Sequence, residues 1–178
     1  MRRKIIGIIG SGVNPWTEYT RPLARWIAKQ DYHLLTGAGQ GVMKSASEAF
    51  AKVENRNGVC LGIVPTIPDL ESGFVAKKHY PNQWVEIPML SPLPTFDGSD
   101  VNQISRNYII VLSSDLLVAL PGNIGTRNEI NLAIRFQKPL ILFAPESEML
   151  DLPQDLSRTS ALEEVEEFIE QNCPSNDS

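Results

Sequence analysis

Cysteine is scarce in this sequence: Cys60 and Cys173 are the only two among 178 residues. Neither stands at metal-ligand spacing from a partner, and two cysteines cannot build a disulfide scaffold. A reducing, cytoplasmic setting is therefore expected. No apolar run approaches the roughly 20 residues that cross a bilayer. Met1-Arg2-Arg3-Lys4 followed by Ile5–Ile9 imitates a secretory leader, but Gly10-Ser11-Gly12 interrupts the apolar stretch and no small-residue cleavage site follows. A buried first strand is the expected reading. Basic residues are neither abundant nor clustered. The net charge is −5, and ten acids against one base, Arg158, fall between Ala144 and Ser178. That leaves 15 bases and 11 acids in residues 1–143, a mildly basic body. Such a body suits a small anionic ligand and lacks the concentrated basic patch expected for nucleic acid.

What is present is a 42% hydrophobic chain, too apolar for disorder, of a length suited to one ordinary domain. Short two-sided apolar runs alternate with amphipathic stretches. Strands are expected at Ile5–Ile9, His33–Thr36, Val59–Val64, Trp84–Ile87, Leu116–Leu120 and Leu140–Phe143. Helices are expected at Tyr19–Lys29, Val42–Lys52, Val101–Leu112, Ile124–Phe136 and Ala161–Gln171. Pro65 and Pro68 are read as stopping the third strand, with residues 65–83 irregular, and Ser157 and Ser160 as caps for the last helix. Strands buried on both faces and separated by helices predict a Rossmann-like, doubly wound parallel sheet with helices on both faces. The prediction is one domain over residues 1–178, with an acidic C-terminal helical segment at about 145–178.

Three glycine-rich turns close predicted strands: Gly10-Ser11-Gly12, Gly37-Ala38-Gly39-Gln40-Gly41, and Pro121-Gly122-Asn123-Ile124-Gly125-Thr126. Ligands in such folds bind beyond the carboxyl ends of the strands. Glycine admits a close ligand, and helix-start N–H groups favour an anion. Tight turns with no ligand role are the plainer alternative, weakened by three such loops on one sheet edge. The expected binding set is Gly10, Ser11, Gly12, Gly37, Gly39, Gln40, Gly41, Gly122, Asn123, Gly125 and Thr126, together with Arg106. A dinucleotide site is disfavoured, because Pro15 replaces the third glycine of G-x-G-x-x-G and the second strand ends in Leu35-Thr36 without an acid. A Walker loop is absent.

Gly37-Ala38-Gly39-Gln40-Gly41-Val42-Met43 resembles the G-G-G-x-x-G-L-M turn of the family once labelled lysine decarboxylase-like. Pro121-Gly122-Asn123-Ile124-Gly125-Thr126-Arg127-Asn128-Glu129 resembles its P-G-G-x-G-T-x-x-E signature. The family includes cytokinin-activating phosphoribohydrolases, the LOG enzymes, and molybdenum cofactor carriers. The likeness covers residues 5–143. Ser105-Arg106-Asn107, running to Ser113-Ser114-Asp115, is similar to the R-N-x-x-x-V-x-S-S-D stretch of the carriers, whereas the enzymes usually have Arg-Lys there. Asn123 departs from the second glycine of P-G-G, and Gly10-Ser11-Gly12 is nearer the carriers than the C-G-S-S start of the enzymes.

The resemblance implies a protein that binds and protects the anionic molybdenum cofactor without turnover. The alternative is a nucleoside 5′-monophosphate phosphoribohydrolase in which Arg106 and Glu129 are catalytic; a nucleotide-sensing module is a third possibility. A bland role for Glu129, as a first-turn helix acid, stays open, as does ligand contact or simple solvation for Arg127. Arg106 would add a charge-assisted bond to the phosphate. No thiolate or other metal ligand is expected, nor a Schiff-base lysine. Trp16 could cover a planar ring, Trp26 is read as core, and His79 beside Lys77-Lys78 could touch an anion. The resemblance further implies a homo-oligomer, dimer or tetramer, with Ile130, Ile134 and Phe136 as candidate contacts. Transient contact with molybdenum enzymes or cofactor-synthesis proteins would follow from a carrier role.

Overall fold

A computed structural model describes residues 2–100 and 102–174 of the chain. Its strands are β1 (Ile5–Ile9), β2 (His33–Thr36), β3 (Cys60–Asp69), β4 (Gly73–Ala76), β5 (Ile87–Ser91), β6 (Leu116–Ala119), β7 (Leu140–Phe143) and β8 (Ser157–Thr159). The helices are α1 (Thr17–Lys29), α2 (Val42–Ala51), α3 (Arg106–Ser113), α4 (Ile124–Arg135) and α5 (Leu162–Asn172). Seven strands are parallel, in the order β5-β3-β2-β1-β6-β7-β8, and β4 pairs antiparallel with the far half of β3. The architecture is Rossmann-like. The chain steps outward from β1 through β2 and β3, then returns to lay β6 on the other side of β1, with Ile6 opposite Leu116 and Ile9 opposite Ala119. This reversal opens a crevice at the carboxyl ends of β1 and β6.

Alternation along the strands divides the core in two. Ile6 and Ile8, Leu116 and Val118, and Ile141 and Phe143 face α1, α2 and α5, where Leu23, Phe50 and Ile169 meet them. Ile9, Leu117, Ala119, Leu140 and Leu142 face α3 and α4, against Ile110, Val111 and Ile130. Each fully buried Ile, Leu or Phe contributes about 1.5–3 kcal/mol relative to exposure. These central strands are legible as apolar runs because both of their faces are covered.

The structure corrects several boundaries. Pro65 and Pro68 do not stop β3, which runs through them to Asp69. β2 ends its pairing at Thr36 opposite Gly62. Pro65 falls between the end of that ladder and the start of the β4 ladder at Thr66, and from Thr66 onward β4 is the one strand paired with β3, so a residue without N–H costs no ladder bond on the side left open. The same argument admits Pro88 into β5, an edge strand that occupies 87–91 and not the expected 84–87. Residues 65–83, expected to be irregular, contain the β3–β4 hairpin. α3 begins at Arg106; residue 102 is in a turn, residues 103–105 are irregular, and residue 101 lies outside the described residues. Neither Ser157 nor Ser160 caps α5, because Ser157 starts β8 and Ala161 holds the cap position. The hydroxyl of Thr159 instead accepts from the N–H of Ala161 at 2.9 Å. The acidic face of α5 is outward, with Val165 and Ile169 buried beneath it.

Candidate functional site

The three glycine turns meet at the β1/β6 crevice, and the backbone of Ser11 joins them. Its N–H donates to the carbonyl of Pro121 at 3.1 Å and its carbonyl accepts from Val42 N–H at 2.9 Å. Gly41 has φ +59°, and a Cβ on it would lie 2.3 Å from the Ser11 carbonyl oxygen. A side chain there would separate the first two loops. Asn123 caps α4 by accepting from Gly125 N–H at 3.2 Å. The first turn of α4 thus presents its positive end to the crevice.

Arg106 enters from the first position of α3 and is 7% exposed. Its Nη1 donates to the carbonyls of Gly37 at 3.1 Å and Ile63 at 2.9 Å, tying the turn after β2 to the interior of β3. Its guanidinium lies 5.8 Å from the ring centre of Tyr80, while its Nε is buried with no hydrogen-bond partner among the described residues. The glycine of Gly37 is required by the protein itself: a Cβ would meet Met43 Sδ at 2.9 Å and Arg106 Nη1 at 3.1 Å. The second loop is held further by Asn82, whose amide donates to the Gly39 carbonyl at 3.0 Å.

Glu129 projects from the second turn of α4, beyond the first-turn position where the helix dipole is strongest. It is 8% exposed, and burial pushes its carboxyl up to about 7 against the opposing pull of the Arg106 charge. Asn107, next to Arg106, donates to Asn128 Oδ1 at 3.0 Å and locks α3 to α4.

These groups line a cavity of about 230 Å³. Of the predicted binding residues, Gly10, Gly12, Gly37, Arg106, Asn123, Gly125 and Thr126 line it, and so does Glu129. Gly122 and Thr126 border a neighbouring cavity of about 420 Å³ between α4 and the segment after β7. Ser11, Gly39, Gln40 and Gly41 border neither. Gln40 is exposed and reaches the carbonyl of His79, while Gly39 N–H is engaged by the sulfur of Met43. Met43, Tyr80, Thr95 and Phe96 also line the first cavity, outside the binding set that the sequence predicts. The only sequence signal for Met43 was its place in the G-L-M-like turn.

Other expected positions resolve into packing or surface. Trp16 packs half-buried against the core, edge-on to Tyr19, and lines neither cavity. Trp26 lies beside Tyr32, and Trp84 lies under Lys52. His79, Lys77 and Lys78 are exposed. The Nδ1 of His33 accepts from Val59 N–H, as befits a strand residue. Arg127 pairs with Asp151 on the rim of the second cavity. Ile130 is 2% exposed within the core and so is not a surface contact, whereas Ile134 and Phe136 remain exposed. Both cysteines are buried away from the cavities, and burial pushes the Cys60 thiol up to about 11. No cluster of metal-ligating side chains occurs among the described residues.

The fold, the capped α4 turn and the Arg106 anchor coincide with a match to the SLOG cluster4 family model over residues 3–173. The chain belongs to that family. The molybdenum cofactor binding protein of Rippkaea orientalis is 30% identical, with a TM-score of 0.71 over 96% of this chain and 98% of that one. The molybdenum cofactor carrier protein of Chlamydomonas reinhardtii is 25% identical, with a TM-score of 0.71 over the same shares of the two chains. An uncharacterised protein of Archaeoglobus fulgidus is 26% identical over 147 residues, covering 82% of this chain and 83% of its own. Within this SLOG cluster4 chain the Ser113-Ser114-Asp115 stretch has a framework role. Asp115 accepts from both terminal nitrogens of Arg2 and from Ile5 N–H, fixing the start of β1.

The loop geometry yields a test. A Cβ at Gly125 would meet only Asn123 Oδ1, at an ordinary 3.6 Å. Valine and glycine have similar helix propensities, within about 0.5 kcal/mol. Gly125→Val is therefore expected to leave thermal unfolding nearly unchanged while abolishing ligand binding, measured by melting and equilibrium dialysis on the same preparation. Equal loss of both would show that the glycine serves the turn alone.

Proposed function

We propose that this protein is a carrier that binds the anionic molybdenum cofactor in the β1/β6 cavity and shelters it without turnover. The observation that carries the reading is the buried Arg106 Nε, a charged donor without a protein partner, in a residue lining the same cavity as the first turn of α4. A buried guanidinium donor left unpaired is costly, and an anion oxygen would satisfy it. The relatives named for this cofactor align over nearly their full length. The donor set fits the group: Arg106, Thr126 and the α4 N–H groups suit its phosphate, and Phe96 and Tyr80 offer faces for its pterin. When bound, the cofactor brings a dithiolene-held oxo-metal; the chain's part is to bind, orient and exclude solvent.

Half-exposed Ile134, with Leu112 and Ile124 on α3 and α4, offers a surface for self-association as a homo-oligomer. No helix among the described residues is long and apolar enough to cross a membrane. A cytoplasmic carrier would pass its load to molybdenum enzymes by transient contact.

A second reading, a phosphoribohydrolase, is favoured by one observation: Glu129 and Arg106 line one cavity, and the carboxyl titrates in the range suited to general acid–base work. Incubation with molybdenum cofactor and, separately, with AMP or a cytokinin riboside monophosphate distinguishes them. Retention of the cofactor through gel filtration, weakened by salt and by phosphate, with no base released from either nucleotide, is the expected result. Rapid base release would overturn the carrier reading.

A further inference from the structure

The cavity wall contains one buried carboxyl that the protein does not tie down. Glu129 is 8% exposed, and among the described residues neither a hydrogen bond nor an ion pair holds it. Arg106 acts on it only through space: Nη1 of that guanidinium is committed to the carbonyls of Gly37 and Ile63, and its unpartnered Nε makes no hydrogen bond to the carboxyl. An ionised carboxylate in this position would repel any anion drawn in by Arg106, Thr126 and the start of α4. A protonated one would add a donor to the same wall.

We propose that Glu129 works as a neutral carboxylic acid that donates a hydrogen bond to an oxygen of the bound anion, so that binding requires this proton and weakens as pH rises. The inference rests on the reading of the cavity as an anion site, and adds to it the proton linkage and a preference for ligands rich in acceptor oxygens. The proton stays on Glu129, shared with the acceptor, and no bond is made or broken.

The surroundings support this. The titratable groups lining the cavity besides Glu129 are Arg106 and Tyr80. β6 and β7, beneath α4, present only Leu, Val, Ala, Ile and Phe. α3 adds Tyr108, whose hydroxyl accepts from Arg135. Arg127 is held by Asp151, with Glu148 beside them on the rim of the other cavity. Among the described residues Arg106 is the one charge acting on Glu129, and burial outweighs it, raising the carboxyl from 4.5 to about 7. A carboxylic acid kept neutral by an apolar site is an established kind of hydrogen-bond donor.

Sulfate is the suitable probe, since it keeps its double charge across the neutral range while phosphate does not. Its affinity for the wild-type protein is expected to fall about thirty-fold between about pH 6 and about pH 8.5, and Glu129→Gln is expected to reduce that change to less than about three-fold. Carbon-13 spectra of the glutamate-labelled, ligand-free protein should show one carboxyl titrating near pH 7 that is missing from Glu129→Gln. A Glu129 resonance titrating in the ordinary carboxylate range, the same pH dependence in both proteins, or no sulfate binding at either pH would each overturn the proposal. Sulfate binding with the expected profile but no retention of molybdenum cofactor would remove the carrier reading and leave this one standing.

Discussion

Arg106→Ala is expected to lower the melting temperature by about 5–15 °C and to weaken cofactor retention by about 10- to 100-fold. Both effects come from the same guanidinium. Truncation deprives the buried carbonyls of Gly37 and Ile63 of their shared donor, at about 1–3 kcal/mol for each group left unsatisfied. It also removes the charge-assisted bond to the ligand. Arg106→Lys separates the two contributions: it restores charge to the cavity, but an ammonium cannot reproduce the planar reach to both carbonyls. Lysine should therefore recover more of the binding than of the stability. Thermal melts and equilibrium dialysis on the three proteins measure both quantities. An unchanged melting temperature in the alanine variant would show that Arg106 does not brace the turn after β2 against β3.

Glu129→Gln should behave in the opposite sense and stabilise the ligand-free protein at alkaline pH. The carboxyl is raised in the folded state, from 4.5 to about 7, chiefly by burial. Below pH 4.5 both folded and unfolded chains carry the proton, and the group adds no pH dependence. From there upward the unfolded chain ionises first, so wild-type stability falls by about 1.4 kcal/mol per pH unit. The loss levels off above about pH 7, at a total of about 3 kcal/mol. Glutamine is neutral throughout and escapes it. The expected result is a melting temperature about 5–10 °C above wild type near pH 8, with the difference vanishing toward pH 4.5. Parallel curves for the two proteins from pH 4.5 to 8 would show that the folded environment does not disfavour the charge.

These two residues show different degrees of legibility. Arg106 was visible as the start of a distinctive Arg-Asn stretch, but its structural work depends on Gly37 and Ile63, 69 and 43 residues away along the chain. Glu129 was visible as the last residue of a motif. Its two sequence-level roles, helix-start acid or catalyst, both assumed a charged carboxylate. Only the packing of α3 and α4 over the sheet removes the water that would keep it charged.

The same division runs through the fold. The alternation of buried strands and amphipathic helices, the three glycine turns and the Rossmann-like class are all legible in the amino-acid order. Those features rest on local periodicity and on backbone conformations that a few adjacent residues set. The amino-acid order does not reveal that β3 continues through Pro65 and Pro68, since that depends on where β2 and β5 stop pairing and β4 begins. Nor does it separate Ile130, buried, from Ile134, exposed, one helical turn later on α4. The tertiary structure alone brought Met43, Tyr80 and Phe96 to the cavity and spent Gly37 and Gly39 on room for Met43. Pairing, burial and desolvation are properties of segments distant in the chain that meet only on folding, and no window of sequence contains both partners.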